Sequence, residues 1–259
     1  MRPALAIPYH DPDLALLPHL HTILPDLKAH FAHAYVCPPL ATQKQTRIME
    51  YLRADDFFTV FPLDADLDVG AHFAHLYQRA AEAAPDEQAL HLCYVDRLSF
   101  ALEGMHRASF LRDIDSVSPA DLPLIFHRSP LAWQSHPQNY RDIEGMVTTV
   151  GRHLFGVELD YAWCHLVVPA RQLRKIIPLV KLPNISMVAE MVYHMQADIH
   201  TREVDWLAWE DPFILQRDAA DLKRERETSV EETRRRLAYA LPMIEFLAKQ
   251  SHSLSVHSR

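Results

Sequence analysis

Short apolar segments alternate with segments of helical periodicity through the first 95 residues. The apolar segments are 4–9, 33–37, 57–61 and 90–95. Between the first two, apolar side chains recur every three or four positions, at Leu17, Leu20, Leu24, Leu27 and Phe31. Strands that alternate with helices in short units form parallel sheets covered by helices. The sequence therefore predicts an α/β fold with a mostly parallel sheet, in which we expect the fourth strand to lie beside the first.

The second half of the chain is predicted to be richer in helices. We expect a strand or extended segment at 122–127, 160–168 and 204–208, and helices at 139–155, 170–180 and 185–197. The pattern of residues 216–250 predicts one long C-terminal helix. If this helix is interrupted, we expect the break just before Pro242. Its basic and acidic residues nearly balance, which favours a solvated helix with internal ion pairs. We expect a single domain at 1–215, a helical extension at 216–250 and a disordered tail at 251–259.

Scarce glycine disfavours the common nucleotide-binding loops. The five glycines cannot spell the GxGxxG motif of dinucleotide enzymes. Gly151 and Gly156 have the spacing of a P-loop, but Val157 and Glu158 follow where Lys and Ser or Thr are required. GxSxG and HExxH are also absent from the chain. Walker-type NTPases and dinucleotide enzymes with the GxGxxG motif are therefore disfavoured.

Charge and cysteine usage indicate a protein of a reducing compartment that does not bind nucleic acid. The net charge is −8, whereas phosphate binding would favour a basic excess. Cys37, Cys93 and Cys164 are far apart and lie in or next to apolar segments, which predicts reduced, buried thiols. The apolar run near the N-terminus is too short for the signal peptide that a secreted protein would be expected to carry, and no run of 18 apolar residues occurs. We expect a cytoplasmic protein without a transmembrane segment.

Polar side chains follow the first and the fourth predicted strands. Tyr9, His10 and Asp11 follow the first, and Asp96 and Arg97 follow the fourth. Ligands of open α/β sheets bind outside the carboxyl ends of the strands. A carboxylate there can hold a divalent cation that bridges two phosphates. The alternative functions are a helix cap for Asp11 and a local ion pair for Asp96 and Arg97.

Three later segments mix aromatic and charged residues in the way that sugar- and phosphate-binding sites do. The first, 126–144, contains Arg128, Trp133 and Glu144, and the others begin at Asp160 and Trp209. An acidic residue in such a segment could orient or deprotonate an acceptor hydroxyl. Each could equally be a buried polar anchor.

The order of these elements and motifs resembles the GT-A type of nucleotide-sugar glycosyltransferase. Pro8-Tyr9-His10-Asp11 resembles the opening nucleotide loop of that family, and Tyr94-Val95-Asp96-Arg97 lies where its DxD motif would lie. Tyr94 replaces the first aspartate of that motif. Short sequence motifs of bacterial members of that family are similar to stretches of this chain. The matching residues are Arg128, Ser129, Ala132, Trp133, Glu144, Trp209 and Glu210. The resemblance covers about residues 4–215.

The resemblance implies a GT-A-like fold and a sugar transferred from a nucleotide diphosphate to a small-molecule or glycan acceptor. It implies donor binding by Pro8, Tyr9, His10, Asp11, Asp96 and Arg97, with Mn²⁺ or Mg²⁺ on Asp96. It implies acceptor binding by Arg128, Trp133, Trp209 and Glu210, and catalytic carboxylates among Glu144, Asp160 and Asp211. Arg97 or Arg128 would help to stabilise the leaving diphosphate. Inverting and retaining transfer both stay open.

Two other functions stay open. One is a metal-dependent hydrolase that uses a histidine pair such as His19 and His21, although both lie within a helical pattern. The other is a catalytically inactive GT-A-like binding protein, suggested by Tyr94. Leu237, Leu241, Ile244 and Leu247 could pack the C-terminal helix on the body or on a second subunit, which predicts a homo-oligomer as one arrangement.

Overall fold

The computed structural model describes residues 1–156, 158–162 and 165–256. Within those residues there are seven strands and thirteen α-helices. The strands are β1 Ala4–Pro8, β2 Ala34–Cys37, β3 Phe58–Val60, β4 Ala89–Leu92, β5 Leu124–Arg128, β6 His165–Pro169 and β7 His200–Val204. The helices are α1 Leu17–His30, α2 Leu40–Gln43, α3 Thr46–Ala54, α4 Val69–Ala83, α5 Val95–Glu103, α6 Arg107–Asp115, α7 Pro130–Ser135, α8 Gln138–Phe155, α9 Ala170–Ile176, α10 Met187–Met195, α11 Asp211–Ile214, α12 Ala219–Thr228 and α13 Val230–Val256.

The chain forms two compact units. The first contains Met1–Ile125 and His165–Leu179, and the second contains Phe126–Cys164 and Val180–Arg259. The boundary falls within β5. The predicted α/β class is confirmed, with helices between the strands and a long C-terminal helix.

The sheet of the first unit has the strand order β3-β2-β1-β4-β6. The pairs β1–β2, β2–β3 and β1–β4 are parallel, and β4–β6 is antiparallel. Every residue of β1, β2, β4 and β6 is buried, as expected for strands covered on both faces. Strands β2 and β3 lie on one side of β1, and β4 lies on its other side. The strand order therefore reverses between β1 and β4, and the expected adjacency of these two strands is confirmed.

The fourth strand ends earlier than its apolar run predicts. The run 90–95 was expected to be strand, but β4 ends at Leu92 and α5 begins at Val95. Tyr94 is extended, and its carbonyl oxygen accepts the first helical hydrogen bond from the Leu98 N–H at 3.0 Å. Val95 is buried in the helix as it would be in a strand. A short apolar run therefore does not distinguish the end of a strand from the start of a buried helix.

The second unit contains β7, the last three residues of β5 and six helices of the described chain. The Ser129 N–H, directly after β5, donates to the Val204 carbonyl oxygen of β7 at 3.1 Å. Helix α8 packs on α13 and ends at Gly156, whose φ of +73° is the left-handed conformation that suits glycine.

Two elements of the second unit differ from the sequence predictions. The strand expected at 204–208 lies at His200–Val204, and Asp205–Leu207 is a 3-10 turn closed by the Ala208 N–H on the Asp205 carbonyl at 2.9 Å. The long C-terminal helix is interrupted at Ser229 instead of before Pro242. Ser229 is extended, and Pro242 lies inside α13, which continues to Val256. The tail predicted to be disordered at 251–259 is helical as far as Val256, and residues 257–259 lie outside the described residues.

Cysteine burial agrees with the sequence prediction where it can be followed. Cys37 and Cys93 are buried and form no disulfide, and burial raises the pKa of Cys37 to about 12. Cys164 lies outside the described residues. Among the described helices, none has both the length and the hydropathy that crossing a membrane requires.

Candidate functional site

The carboxyl ends of β1 and β4 bring together the two polar segments predicted to bind a donor. Pro8 is the last residue of β1, Tyr9 is fully buried and His10 is exposed. Asp96 lies in the first turn of α5, two residues after the extended Tyr94, and is half-buried. We call this region, formed by residues 9–11 and 94–96, the switch-point edge.

Asp11 holds the loop after β1 and the start of α1. One of its carboxylate oxygens accepts from the Leu16 N–H at 3.1 Å, and the other accepts from the Leu17 N–H at 2.9 Å. The Tyr9 hydroxyl donates to the same carboxylate at 3.0 Å. Burial, and then the charge of Asp11, raise the pKa of Tyr9, which keeps that hydroxyl protonated. Asp11 is thus a capping residue, and its carboxylate offsets the positive end of α1.

Asp96 is the acidic side chain that the switch-point edge offers to a ligand. Its Oδ1 accepts from the Arg97 N–H at 2.8 Å, which fixes the carboxylate at the start of α5. Arg97 itself is 1% exposed, and its guanidinium lies 5.6 Å from the centre of the Phe100 ring. The predicted phosphate contact by Arg97 is therefore not made at the surface in this conformation.

A divalent cation fits Asp96 only together with phosphate oxygens. Mg²⁺ characteristically keeps several waters and takes one or two carboxylates beside substrate phosphates. Tyr94, at the position of the missing aspartate, packs on aromatic rings: its ring centre lies 5.6 Å from that of Phe73 and 5.7 Å from that of His165. One half-buried carboxylate is thus compatible with a cation held mainly by a diphosphate.

Two histidines lie near this edge. The His72 ring shares a hydrogen bond of 2.8 Å with the Cys37 carbonyl oxygen at the end of β2. Burial lowers the pKa of His72 below its ordinary value, and this outweighs the opposing effect of its hydrogen bond to the Cys37 carbonyl. His72 is therefore neutral at pH 7, and the exposed His10 is the nearby imidazole that a ligand can reach.

The second unit contains an open cavity of about 710 Å³. It lies among β5, α7, α8 and β7, and Glu158–Asp160 forms part of its wall. Its lining is rich in hydroxyl and charged groups: His127, Arg128, Pro130, Trp133, Gly145, Thr148, Thr149, Glu158, Leu159, Asp160, Thr201 and Glu203. The volume falls in the usual range for small-molecule sites.

A buried ionic cluster forms one wall of this cavity. The Arg128 guanidinium donates to both oxygens of Asp160, each at 2.8 Å, and to Glu144 at 2.6 Å. Glu144 also accepts from Arg236 at 2.9 Å and from the Tyr239 hydroxyl at 2.9 Å. Burial lowers the pKa of Arg128, but the charges of Asp160 and Glu144 outweigh it and raise the pKa above its ordinary value. Arg128 is therefore a cation throughout the physiological range.

The predicted catalytic role of Glu144 does not agree with its surroundings. Glu144 is 2% exposed, and both oxygens are engaged with arginine or tyrosine groups. A base must reach the proton that it removes. We therefore assign Glu144 to holding Arg128 and Arg236.

Three residues beside the buried ionic cluster were not identified from the sequence. They are Arg236, Tyr239 and Glu232. The Arg236 guanidinium lies 3.5 Å from the centre of the Tyr140 ring, whose hydroxyl donates to Glu232 at 2.7 Å. The balanced charges of 217–236 predicted a solvated helix, whereas the side of α13 that faces α8 buries these groups. The signal in the sequence was the placement of Arg236 and Tyr239 at helical spacing of three.

The other predicted acceptor and catalytic residues are divided between the cavity and its surroundings. Trp133 lines the cavity, with the Arg128 guanidinium 4.1 Å from its ring centre. Trp209 and Glu210 are buried and are not among the described residues that line it. Burial, and then the charge of Glu210, raise the pKa of Asp211, which also lies outside the lining. Asp160 is the predicted catalytic carboxylate that reaches the cavity.

The histidine pair of the alternative hydrolase does not converge. His19 contacts Glu103 at 2.8 Å, whereas the His21 ring stacks on Tyr51 with ring centres 4.1 Å apart. Residues two apart on a helix point to different sides. A shared metal ion on His19 and His21 is therefore not supported.

Comparison of the chain with protein-family models, with curated proteins and with solved structures found no match.

Proposed function

We propose that this protein is a glycosyltransferase that uses a nucleotide-diphosphate sugar as donor. The observation that carries the proposal is the pairing of β1 with β4, which brings the loop 9–11 and the Asp96 carboxylate to the same end of the sheet. Ligands of open α/β sheets bind at the point where the strand order reverses. In the first unit that point is the switch-point edge.

The donor half of the proposal rests on α5 and His10. Helix α5 has nine residues and begins at this edge, so its N-terminal dipole favours a phosphate. His10 is exposed beside it and can contact a base or ribose. Asp96 would hold a Mn²⁺ or Mg²⁺ ion, which supplies positive charge to the departing diphosphate when bound. The chain's own contribution is to orient the diphosphate between the first turn of α5 and the loop after β1.

The acceptor half of the proposal rests on the cavity of the second unit. Aromatic faces and carboxylates are the groups that recognise sugar rings and hydroxyls, and Trp133, Glu203 and Asp160 supply them here. Asp160 keeps Arg128 at the wall and can accept a hydrogen bond from an acceptor hydroxyl. The exposed Glu158 and Glu203 can accept others.

The test measures the melting temperature of the protein in the presence of UDP- and GDP-sugars, each with and without Mn²⁺. A ligand at a hundred times its Kd stabilises the folded state by about 2.7 kcal/mol, which raises the melting temperature by several degrees. We expect such a rise in the wild type and a smaller one in Asp96→Asn. The matched control is Asp86→Asn, because Asp86 is an exposed aspartate just before β4, at its opposite end. The absence of any rise with every nucleotide-sugar would contradict the proposal.

A second candidate function is binding of a nucleotide-sugar without transfer. It is favoured by Tyr94, which packs on Phe73 and His165 where a catalytic family member would carry an aspartate. Release of the nucleoside diphosphate separates the two functions. Protection by a nucleotide-sugar with no release in the presence of varied glycan acceptors would support binding alone, and acceptor-dependent release would support the transferase.

A further inference from the structure

Three potential metal ligands lie on one face of the sheet in the first unit. His91 is in β4 and Cys93 follows two positions later, so their side chains point to the same face. Strand β6 pairs antiparallel with β4, with Leu92 opposite Leu166. Continuing that register by one residue places His165 opposite Cys93, on the same face. The strand pairing thus gathers an imidazole, a sulfur and a second imidazole.

The three side chains are close enough to share one ion. A ligand atom from each of His91, Cys93 and His165 lies within 4.8 Å of the other two. All three residues are 0% exposed, and the two imidazole centres are 5.9 Å apart. In a tetrahedral zinc site the ligand atoms are about 3.3 to 3.6 Å apart, given Zn–N near 2.0 Å and Zn–S near 2.3 Å. A shift of about 1 Å in side-chain positions would bring these atoms to that spacing.

The donor set selects the class of metal. Thiolate and imidazole ligands suit zinc and other late transition metals, whereas Mg²⁺ and Ca²⁺ prefer oxygen. A metal ion would keep the Cys93 sulfur as a thiolate. The site therefore differs in chemistry from the Asp96 position, where the ligands would be oxygen atoms.

We propose that His91, Cys93 and His165 bind one Zn²⁺ ion, with three of its four positions filled by these residues. The ion ties β4 to β6 and has a structural role, because none of the three side chains reaches solvent. Such an ion is acquired as the chain folds, since its ligands come from strands distant in sequence. The proposal is independent of the glycosyltransferase proposal.

The test is the metal content and spectrum of the full-length protein expressed in zinc- or cobalt-supplemented medium. We expect about one equivalent of metal per chain. The cobalt form should show a thiolate-to-cobalt charge-transfer band in the near ultraviolet. Cys93→Ser should lose that band. The double variant Cys37→Ser, Cys164→Ser leaves Cys93 as the sole cysteine and should keep it.

Wild-type protein that is folded by circular dichroism and free of metal after growth in either medium would overturn the proposal. So would a charge-transfer band that persists in Cys93→Ser or that disappears in the double variant. If Cys93→Ser does not fold, the wild-type metal content and the double variant still decide. None of these readouts involves a nucleotide or a sugar, so failure here leaves the glycosyltransferase proposal unchanged.

Discussion

Arg128 and Asp160 form a two-point ion pair, with both guanidinium–carboxylate distances at 2.8 Å, beside the cavity of the second unit. Arg128 is 6% exposed and Asp160 is 7% exposed, so water screens the pair little. Glu144 accepts from both Arg128 and Arg236, so two carboxylates balance two guanidinium groups. Removal of any one of these charges would therefore leave another buried charge in the cavity wall uncompensated.

Asp160→Asn should destabilise the protein by about 3 to 5 kcal/mol, because Glu144 alone would then have to balance the buried charges of Arg128 and Arg236. The measurement is urea denaturation at pH 7. The matched control is Glu231→Gln, because Glu231 and Arg234 form an exposed pair at 3.9 Å. Surface pairs contribute little, so the control should unfold like the wild type. Equal stability of Asp160→Asn and wild type would contradict the role of the cluster.

Glu144→Gln should change how stability depends on acid. Burial raises the pKa of Glu144, but the charges of Arg128 and Arg236 outweigh it and hold the pKa below its ordinary 4.5. A carboxylate with a lowered folded pKa stabilises the protein above its unfolded pKa, and that contribution is lost as pH falls through the folded value. The stability gap between wild type and variant should therefore be widest at pH 7 and should shrink as the pH falls below the ordinary value of 4.5. A gap that stays constant over this range would show that Glu144 is not ionised in the folded protein.

Gly151→Ala should destabilise the second unit by about 1 to 3 kcal/mol through overpacking. A Cβ at Gly151 would lie 2.2 Å from a carbon of the buried Tyr161 ring. Gly145, in the same helix, supplies the control, because a Cβ there would lie 3.4 Å from Trp133. Alanine is the better helix former by about 1 kcal/mol, so Gly145→Ala should be neutral or slightly stabilising. Equal effects of the two substitutions, measured by denaturation, would argue against the packing of Tyr161 on α8.

Thr201→Trp should block the acceptor site while leaving donor binding intact. Thr201 is exposed in β7 and lines the cavity, so an indole there fills space that a sugar would occupy. On the proposed function, transfer to acceptor should fall at least tenfold while protection by the nucleotide-sugar is unchanged. Thr201→Ser, which keeps the hydroxyl, is the control and should stay active. Full transfer by Thr201→Trp would place the acceptor elsewhere.

The features that sequence predicted best are those set by local pattern. The alternation of apolar and amphipathic segments predicted β1 to β4 and their adjacency at the switch-point edge. The end of β4 was wrong by three residues, because Val95 is apolar and buried in either conformation.

The features that sequence missed depend on pairing between distant segments. Arg236 is one of several arginines in a balanced charged helix, and its burial follows from the packing of α13 on α8. His165 meets Cys93 because β6 runs antiparallel to β4, a direction that the alternation of elements does not specify. Glu144 lies in a segment whose mixture of aromatic and charged residues is typical of sugar-binding sites. Its two arginine partners, Arg128 and Arg236, come from other elements.

The most direct test of the donor proposal is calorimetric titration of UDP and GDP into the wild type and Asp96→Asn, with and without Mn²⁺. Asparagine keeps an oxygen that can accept from the Arg97 N–H, so the start of α5 is preserved while the negative charge is removed. The account predicts that Mn²⁺ tightens nucleotide binding to the wild type at least tenfold, about 1.4 kcal/mol, and that Asp96→Asn loses this dependence. Equal Mn²⁺-dependent affinity in both proteins, or no binding of either nucleotide to the wild type, would contradict it.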